Sequence, residues 1–477
     1  MENNLTMLAD FYEFTMANGY FQSGLADKIA CFDMFFRKVP DNGGFAIATG
    51  LEQIIDYLQS LSFSENDIAY LRKRGIFSEE FLDYLKNFNF CCDVYAMREG
   101  TPCFPGEPLL IVKGPLIQAQ LVETMILLTM NHQSLIATKA NRIVRAAAGR
   151  MIMEFGSRRA QGADAAIAGS RAAYIGGCAG SACTISDVLY EIPALGTMAH
   201  SWVQTFDSEY EAFVTYAKTY PSGCTLLIDT YNVLNSGLPN AIRTHREILE
   251  PLGHRLAGVR IDSGDITYLT KKIRKKLDEA GLTDCKIVVS NSLDEYIIRD
   301  TLMQGAQIDS FGVGERLITS KSEPVFGGVY KLAAVWNGDE MQPKIKISEN
   351  VEKITLPGFK QVYRLYEVET NKAIADVITL HDEEIVGTKP YELFDPEHIW
   401  KRKTISNFRA EKLLIKIFDK GKLVYTPPAL SSVREYCANE IDTLWDEVKR
   451  FENPHKYYVD LSQALWDTRA SLLKKFS

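Results

Sequence analysis

The chain has 477 residues, 46% of them hydrophobic and 24% charged, the balance of an ordinary soluble globular protein. That length exceeds a single core, so two or three domains are expected, and a net charge of −8 leaves no overall electrostatic footprint for nucleic acid. The nine cysteines are scattered without zinc-like spacing, and in a chain this long they read as the reduced thiols of a cytosolic protein, not a disulfide framework.

The N-terminus lacks a basic n-region and an apolar h-region, so no signal peptide is expected. Leu8 to Tyr20 reads as a helix, with Asp10, Tyr12 and Glu13 near its start. Residues 30–39 alternate in part like a strand, ahead of a turn at Asp41–Gly44. Gly50 to Leu61 has helical period. Ser64 with Asp67 is a capping-box pattern, and Ser78 opens another helix. Strand patterns then cover Val94–Met97 and Leu109–Val112, predicting a sheet with helices on one side. Leu116 to Met130 is the most apolar helical stretch, but Gln118, Gln120 and Glu123 interrupt it. It is too short and too polar to span a bilayer, so no membrane partner is expected.

Helical patterns run from Gln118 to Ala148, and then the texture changes. Short apolar runs recur, each ending in polar residues or glycine: Met151–Phe155 into GSRRAQG, the run before GTMAHS, Thr225–Ile228 into DTYN, Leu256–Ile261 into DSGD, Lys286–Val289 into SNSLDE, and Ile308–Phe311 into GVGERL. Helical patterns fill the gaps, including one capped at Ser208–Glu211 and a basic amphipathic one over Ile266–Ala280. Buried runs alternating with helices predict a parallel sheet, as a closed β/α barrel or a doubly wound sheet. No G-x-G-x-x-G follows the first run, which weakens a dinucleotide fold. Beyond Gly328, LAAVW and KIKIS read as strands. After Pro427-Pro428 a helix is expected with Ser432 and Glu435 as its capping box. Its apolar face would hold Val433, Tyr436, Ile441, Leu444, Trp445 and Val448. A last helix is expected over Val459–Phe476.

In a barrel, function gathers at the C-terminal ends of the strands, and the polar residues of this chain gather there. Phe155, Arg158 and Arg159 follow the first run, and arginine suits a carboxylate or phosphate. His200 sits between Ala199 and Ser201, with room around its ring. Asp229 and Asp262 each follow a buried run, where a carboxylate can bind Mg²⁺, accept from ribose hydroxyls or orient a histidine. Arg260 lies beside Asp262. Asn291-Ser292 with Asp294, and Gly312-Val313-Gly314, offer backbone N–H groups to phosphate. The set suits a phosphorylated sugar reacting with a flat, anionic ring. No lysine stands at a strand tip for a Schiff base, and no His-x-His for a barrel metallohydrolase.

EFGSRRAQGADAA, GTMAHSW, LLIDTYN, VRIDSGD, FGVGERL, TLPGFKQVYR and ADFYEFTM closely resemble the nicotinate phosphoribosyltransferase family over nearly the whole chain. The resemblance implies an irregular β/α barrel over 136–328, an N-terminal α/β sandwich domain over 1–135 and a C-terminal α+β extension over 329–477. It implies synthesis of nicotinate mononucleotide and pyrophosphate from nicotinate and 5-phosphoribosyl 1-diphosphate, coupled to ATP and Mg²⁺, in NAD salvage. It implies a cytoplasmic homodimer with shared sites. On the same basis His200 is the phosphohistidine, with Asp229 a carboxylate beside it. Phe155 and Arg158 are expected at the pyridine site, and Tyr12 over the partner's pyridine. Arg260 and Asp262 fall near pyrophosphate and ribose, and Asn291, Gly312 and Gly314 at the 5′-phosphate. The related nicotinamide enzymes carry an aspartate in a turn that here reads Ala179-Gly180-Ser181-Ala182, which favours nicotinate. A catalytically silent metabolite binder is the alternative of another class.

Overall fold

The computed structural model describes residues 4–350 and 353–476. The chain forms two compact units, one of Met1–Leu135 with Val325–Ser477 and the other of Ile136–Pro324. Among the described residues no helix is long and apolar enough to cross a membrane.

The first unit is built on a seven-stranded sheet. Its order is Glu340–Pro343, Val329–Asn337, Ile29–Phe35, Leu110–Pro115, Asp93–Met97, Leu414–Asp419, Lys422–Leu423. The pairings are antiparallel. Residues 30–34 are all buried, so this central strand shows only partial alternation. Leu51, Ile54, Ile55 and Leu58 line one face of the helix Leu51–Ser60 and join the sheet's core. Ser64 and Asp67 form the capping box, and Ser78 caps Glu79–Lys86. A four-stranded sheet, in the order Phe408–Lys412, Lys360–Glu367, Ala373–Leu380, Val459–Leu461, completes the C-terminal part. Inside it Arg364 makes a buried two-pronged bond to Asp376, at 2.9 and 2.7 Å.

Four local expectations in this unit fail. The stretch expected as a helix from Val459 opens instead as the strand Val459–Leu461, paired to the sheet, and the last helix covers Gln463–Phe476. KIKIS is irregular, and the strand lies just before it at Glu340–Pro343. The helix after the prolines starts at Leu430 with Ala429 as N-cap, so Ser432 lies inside the first turn and caps nothing. That helix ends at Thr443, which leaves Trp445 beyond it and 44% exposed.

The second unit carries five parallel strands: β1 (Met151–Glu154), β2 (Thr225–Leu227), β3 (Gly258–Ile261), β4 (Lys286–Asn291) and β5 (Ser310–Val313). Their order is β1-β5-β4-β3-β2, with every neighbour parallel. Val259, Ile261, Ile287, Val289, Phe311 and Val313 are fully buried. The expected sixth strand, before GTMAHS, does not form. Only single bridges extend the sheet past β1, from Glu154 to Ser181 and from Ser181 to Ala194. Pro193 interrupts that run and has no N–H for a ladder, so its carbonyl alone serves, accepting from Ser181 N at 3.0 Å. The helices are capped as local chemistry dictates. Ser208 accepts from Glu211 N, Asp265 from Tyr268 N, and Asp294 from Tyr296 N and Ile297 N. In Ile266–Glu279 the buried residues Ile266, Thr270, Ile273 and Leu277 form one face. The fold is mixed α/β with a parallel sheet.

Candidate active site

The C-terminal ends of β1, β3, β4 and β5 line a cavity of about 540 Å³. Phe155, Arg158, His200, Arg260, Asp262, Asn291, Gly312 and Gly314 all line it. Asp229 lies behind that wall, its side chain 1% exposed. Tyr12 belongs to the other unit, at the start of the helix Phe11–Gln22, and is 44% exposed. Burial, with the nearby Glu123 carboxylate adding to it, raises the pKa of its hydroxyl.

At one wall β1 ends in Glu154, whose buried carboxylate accepts from Gly156 N and from Ser181 Oγ. Ser181 Oγ in turn accepts from Cys183 N at 2.9 Å. Glu154 therefore staples the Phe155–Arg158 turn to the Ala179–Cys183 turn. Burial pushes its pKa up, and the two donors pull it back. The Phe155 ring lies on Gly312, where a Cβ would stand 2.4 Å from Phe155 Cδ2. A Cβ on Gly314 would stand 3.2 Å from Phe155 O. Both glycines thus seat the aromatic residue as well as facing the cavity.

Opposite, β2 and β3 are tied at their tips. Asp229 Oδ2 accepts from Asp262 N and Ser263 Oγ, each at 2.7 Å. Asp229 Oδ1 faces His200 Nε2 at 3.8 Å, beyond hydrogen-bond range. His200 Nδ1 instead meets Thr230 Oγ1 at 3.0 Å. Arg260 bonds Thr197 Oγ1 at 2.6 Å and Met198 O at 3.0 Å, fixing the approach to His200. Burial lowers its pKa, an effect that Asp262 and Asp229 oppose. At β4, Ser292 N donates to Asn291 Oδ1 at 2.6 Å, and Asp294, the next N-cap, pairs with Arg316. Among the described residues the only three-ligand cluster of His, Cys, Asp or Glu is Asp395, Glu397 and His398, in the other unit.

Sequence reasoning missed Glu154, Ser181, Thr197, Thr230 and Ser263. All but Ser181 stand within three residues of a candidate, but a hydroxyl or a carboxylate that acts through a cross-strand bond has no local signal. Arg158 is exposed on the short turn Ser157–Arg159, free to meet a ligand.

Comparison with known proteins gives one answer along the chain. Residues 7–131 match the nicotinate phosphoribosyltransferase (NAPRTase) N-terminal domain, 151–370 the nicotinate phosphoribosyltransferase (NAPRTase) family and 359–469 the nicotinate phosphoribosyltransferase C-terminal domain. The chain is 42% identical to a nicotinate phosphoribosyltransferase of Bacillus subtilis, over 98% of this chain and 95% of that one. It is 34% identical to the enzyme of that name from Dictyostelium discoideum, over 98% and 88%. The crystal structure of human nicotinic acid phosphoribosyltransferase superposes with a TM-score of 0.86 at 30% identity, covering 97% of this chain and 99% of that one.

Proposed function

The chain belongs to the nicotinate phosphoribosyltransferase family, and from that premise we propose that its strand-end cavity joins nicotinate to a phosphoribosyl group in NAD salvage. The observation that carries the reading is one cavity that brings Phe155 and Arg158 together with the Asn291-Ser292 and Gly314 turns. An aromatic ring and a guanidinium suit a flat carboxylate. Polar and glycine turns at strand ends suit phosphate. The C–N bond forms from the pyridine nitrogen lone pair as the anomeric C–O bond breaks, and its electrons leave on pyrophosphate. Holding two anions in line while shielding an oxocarbenium-like centre is work for positioned charges.

The same proposal includes coupling to ATP, with His200 taking the phosphoryl group. It includes Mg²⁺, which fits a hard carboxylate oxygen of Asp262 on the cavity wall together with substrate phosphates. Bound there, the ion would neutralise charge on the departing pyrophosphate. We further propose that the sheet closes as an irregular barrel. The bridges through Ser181 and Ala194 lead from β1 to Thr197 and Met198, which Arg260 of β3 grips. A homodimer with shared sites is supported by a run of exposed apolar residues near the N-terminus: Leu5, Leu8, Phe11, Tyr12 and Met16. In the second unit Ile185, Val188 and Leu189 are exposed, shortly after the cavity-lining Ala182 in sequence.

Nicotinate is favoured over nicotinamide because the Ala179–Ala182 turn offers no acid, and Glu154 behind it is spent on Gly156 N and Ser181 Oγ. The deciding assay is pyrophosphate release with nicotinate and with nicotinamide, each with and without ATP. Nicotinate should drive release and ATP should accelerate it. Equal turnover of nicotinamide overturns the substrate assignment, and no turnover favours a silent binder. His200→Ala should abolish ATP hydrolysis and leave slow transfer, since losing one positioned catalytic group costs about 10²–10⁴ in rate.

A further inference from the structure

We propose that Thr230 is a positioning residue for His200: its hydroxyl donates to Nδ1 and keeps that nitrogen as the ring's lone-pair atom, with Nε2–H turned to Asp229. The proposal rests on reading His200 as the phosphoryl acceptor. Thr230 Oγ1 lies 3.0 Å from Nδ1, and Asp229 Oδ1 lies 3.8 Å from Nε2. A hydroxyl can donate or accept, whereas an ionised carboxylate only accepts. If Nδ1 carried the proton, the Nε2 lone pair would face the carboxylate, two electron-rich atoms opposed. With the proton on Nε2 the N–H points at Asp229 Oδ1, which has no hydrogen bond among the described residues. Thr230 must then be the donor.

The carboxylate cannot swing round to replace it, because Oδ2 is held by Asp262 N and Ser263 Oγ. Both partners of the ring ride on consecutive residues at one strand tip. That tip is clamped: Ile228 N donates to Arg260 O at 3.0 Å. Gly237 packs so closely on the other side that a Cβ there would stand 1.9 Å from Ile228 O. The arrangement presents the imidazole in one tautomer and one rotation. In the transfer the Nδ1 lone pair forms the N–P bond to the γ-phosphorus of ATP. The bond to the β,γ-bridging oxygen breaks, and ADP leaves with that electron pair. Positive charge develops on the ring, whose Nε2 proton faces Asp229. Thr230 has to release Nδ1 for the attack, and its hydroxyl is then free to donate to a phosphoryl oxygen.

Two measurements on the full-length protein test this, with Thr230→Val removing the hydroxyl and Thr230→Ser keeping it. The first uses ¹⁵N-histidine labelling without nucleotide, the His200 signals being assigned by their loss in His200→Gln. The wild-type ring should be protonated at Nε2, with Nδ1 shifted by the bond it accepts. Thr230→Val should lose that shift and Thr230→Ser restore it. Protonation at Nδ1, or an unchanged spectrum in Thr230→Val, overturns the proposal. The second is the initial rate of acid-labile labelling from γ-labelled ATP. It should fall about three- to tenfold in Thr230→Val, the effect of one lost hydrogen bond, and recover in Thr230→Ser. Equal rates in wild type and Thr230→Val overturn the positioning role. Absence of label in wild type instead overturns the phosphohistidine reading, and the ring spectrum still decides what Thr230 does.

Discussion

Phe155 occupies the space that any side chain at Gly312 would need. The two residues come from different strands, β1 and β5, so their dependence is invisible in the sequence, where Gly312 reads only as a phosphate turn. Gly312→Ala separates the two roles. A Cβ 2.4 Å from a ring carbon forces the ring aside, and overpacking of this kind costs about 1–3 kcal/mol. The nicotinate KM should rise about tenfold while the KM for 5-phosphoribosyl 1-diphosphate changes much less. Steady-state kinetics with each substrate varied in turn gives the comparison, and an equal rise in both would return Gly312 to the phosphate role. His200 has a similar history. Its small neighbours mark it as accessible, but the ring's hydrogen-bond partner is Thr230, 30 residues away. Sequence pattern therefore finds the residues that carry charge or an aromatic ring. The neutral residues that hold them need the fold.

Helices were legible because their signals are local: Ser64, Ser78, Ser208 and Asp294 each cap where their chemistry predicts. Strand pairing is a tertiary event, so a proline-interrupted run reads as a strand and forms only a bridge. The helix Phe11–Gln22 shows a further tertiary effect. Glu13, in its first turn, is fully buried, and its Oε1 accepts from Thr124 N and Oγ1. Burial raises its pKa to about 7; the Thr124 bonds oppose the rise and Glu123 adds to it. The folded chain thus keeps this proton between pH 4.5 and about 7, where the unfolded chain has lost it. Stability falls as pH rises through that window and levels off above it. The cost is at most about 3 kcal/mol, reduced by partial hydration. Glu13→Gln is uncharged throughout, so its Tm relative to wild type should climb from pH 5 to pH 8. A Tm difference that stays constant with pH would show that Glu13 does not titrate there.

At the scale of the whole molecule the candidate site is incomplete within its own unit if Tyr12 comes from a partner. Mixing Tyr12→Ala with His200→Ala chains gives heterodimers with one site intact and one doubly damaged. With random exchange about a quarter of all sites regain both residues. ATP-stimulated activity should return to about that fraction, measured after subunit exchange is demonstrated by native mass spectrometry. Exchange without recovery would show that each chain builds its site alone. The seven-stranded sheet also has a history in time. Ile29–Phe35, Asp93–Met97 and Leu110–Pro115 are made early, yet Val329–Asn337 and Leu414–Asp419, which flank them, come roughly 200 and 300 residues later. At about 5–20 residues per second, the growing chain carries two raw β-edges for tens of seconds while the second unit is synthesised and free to fold. A chain cut off after Pro324 would carry every residue of its middle, with its beginning still waiting for its end.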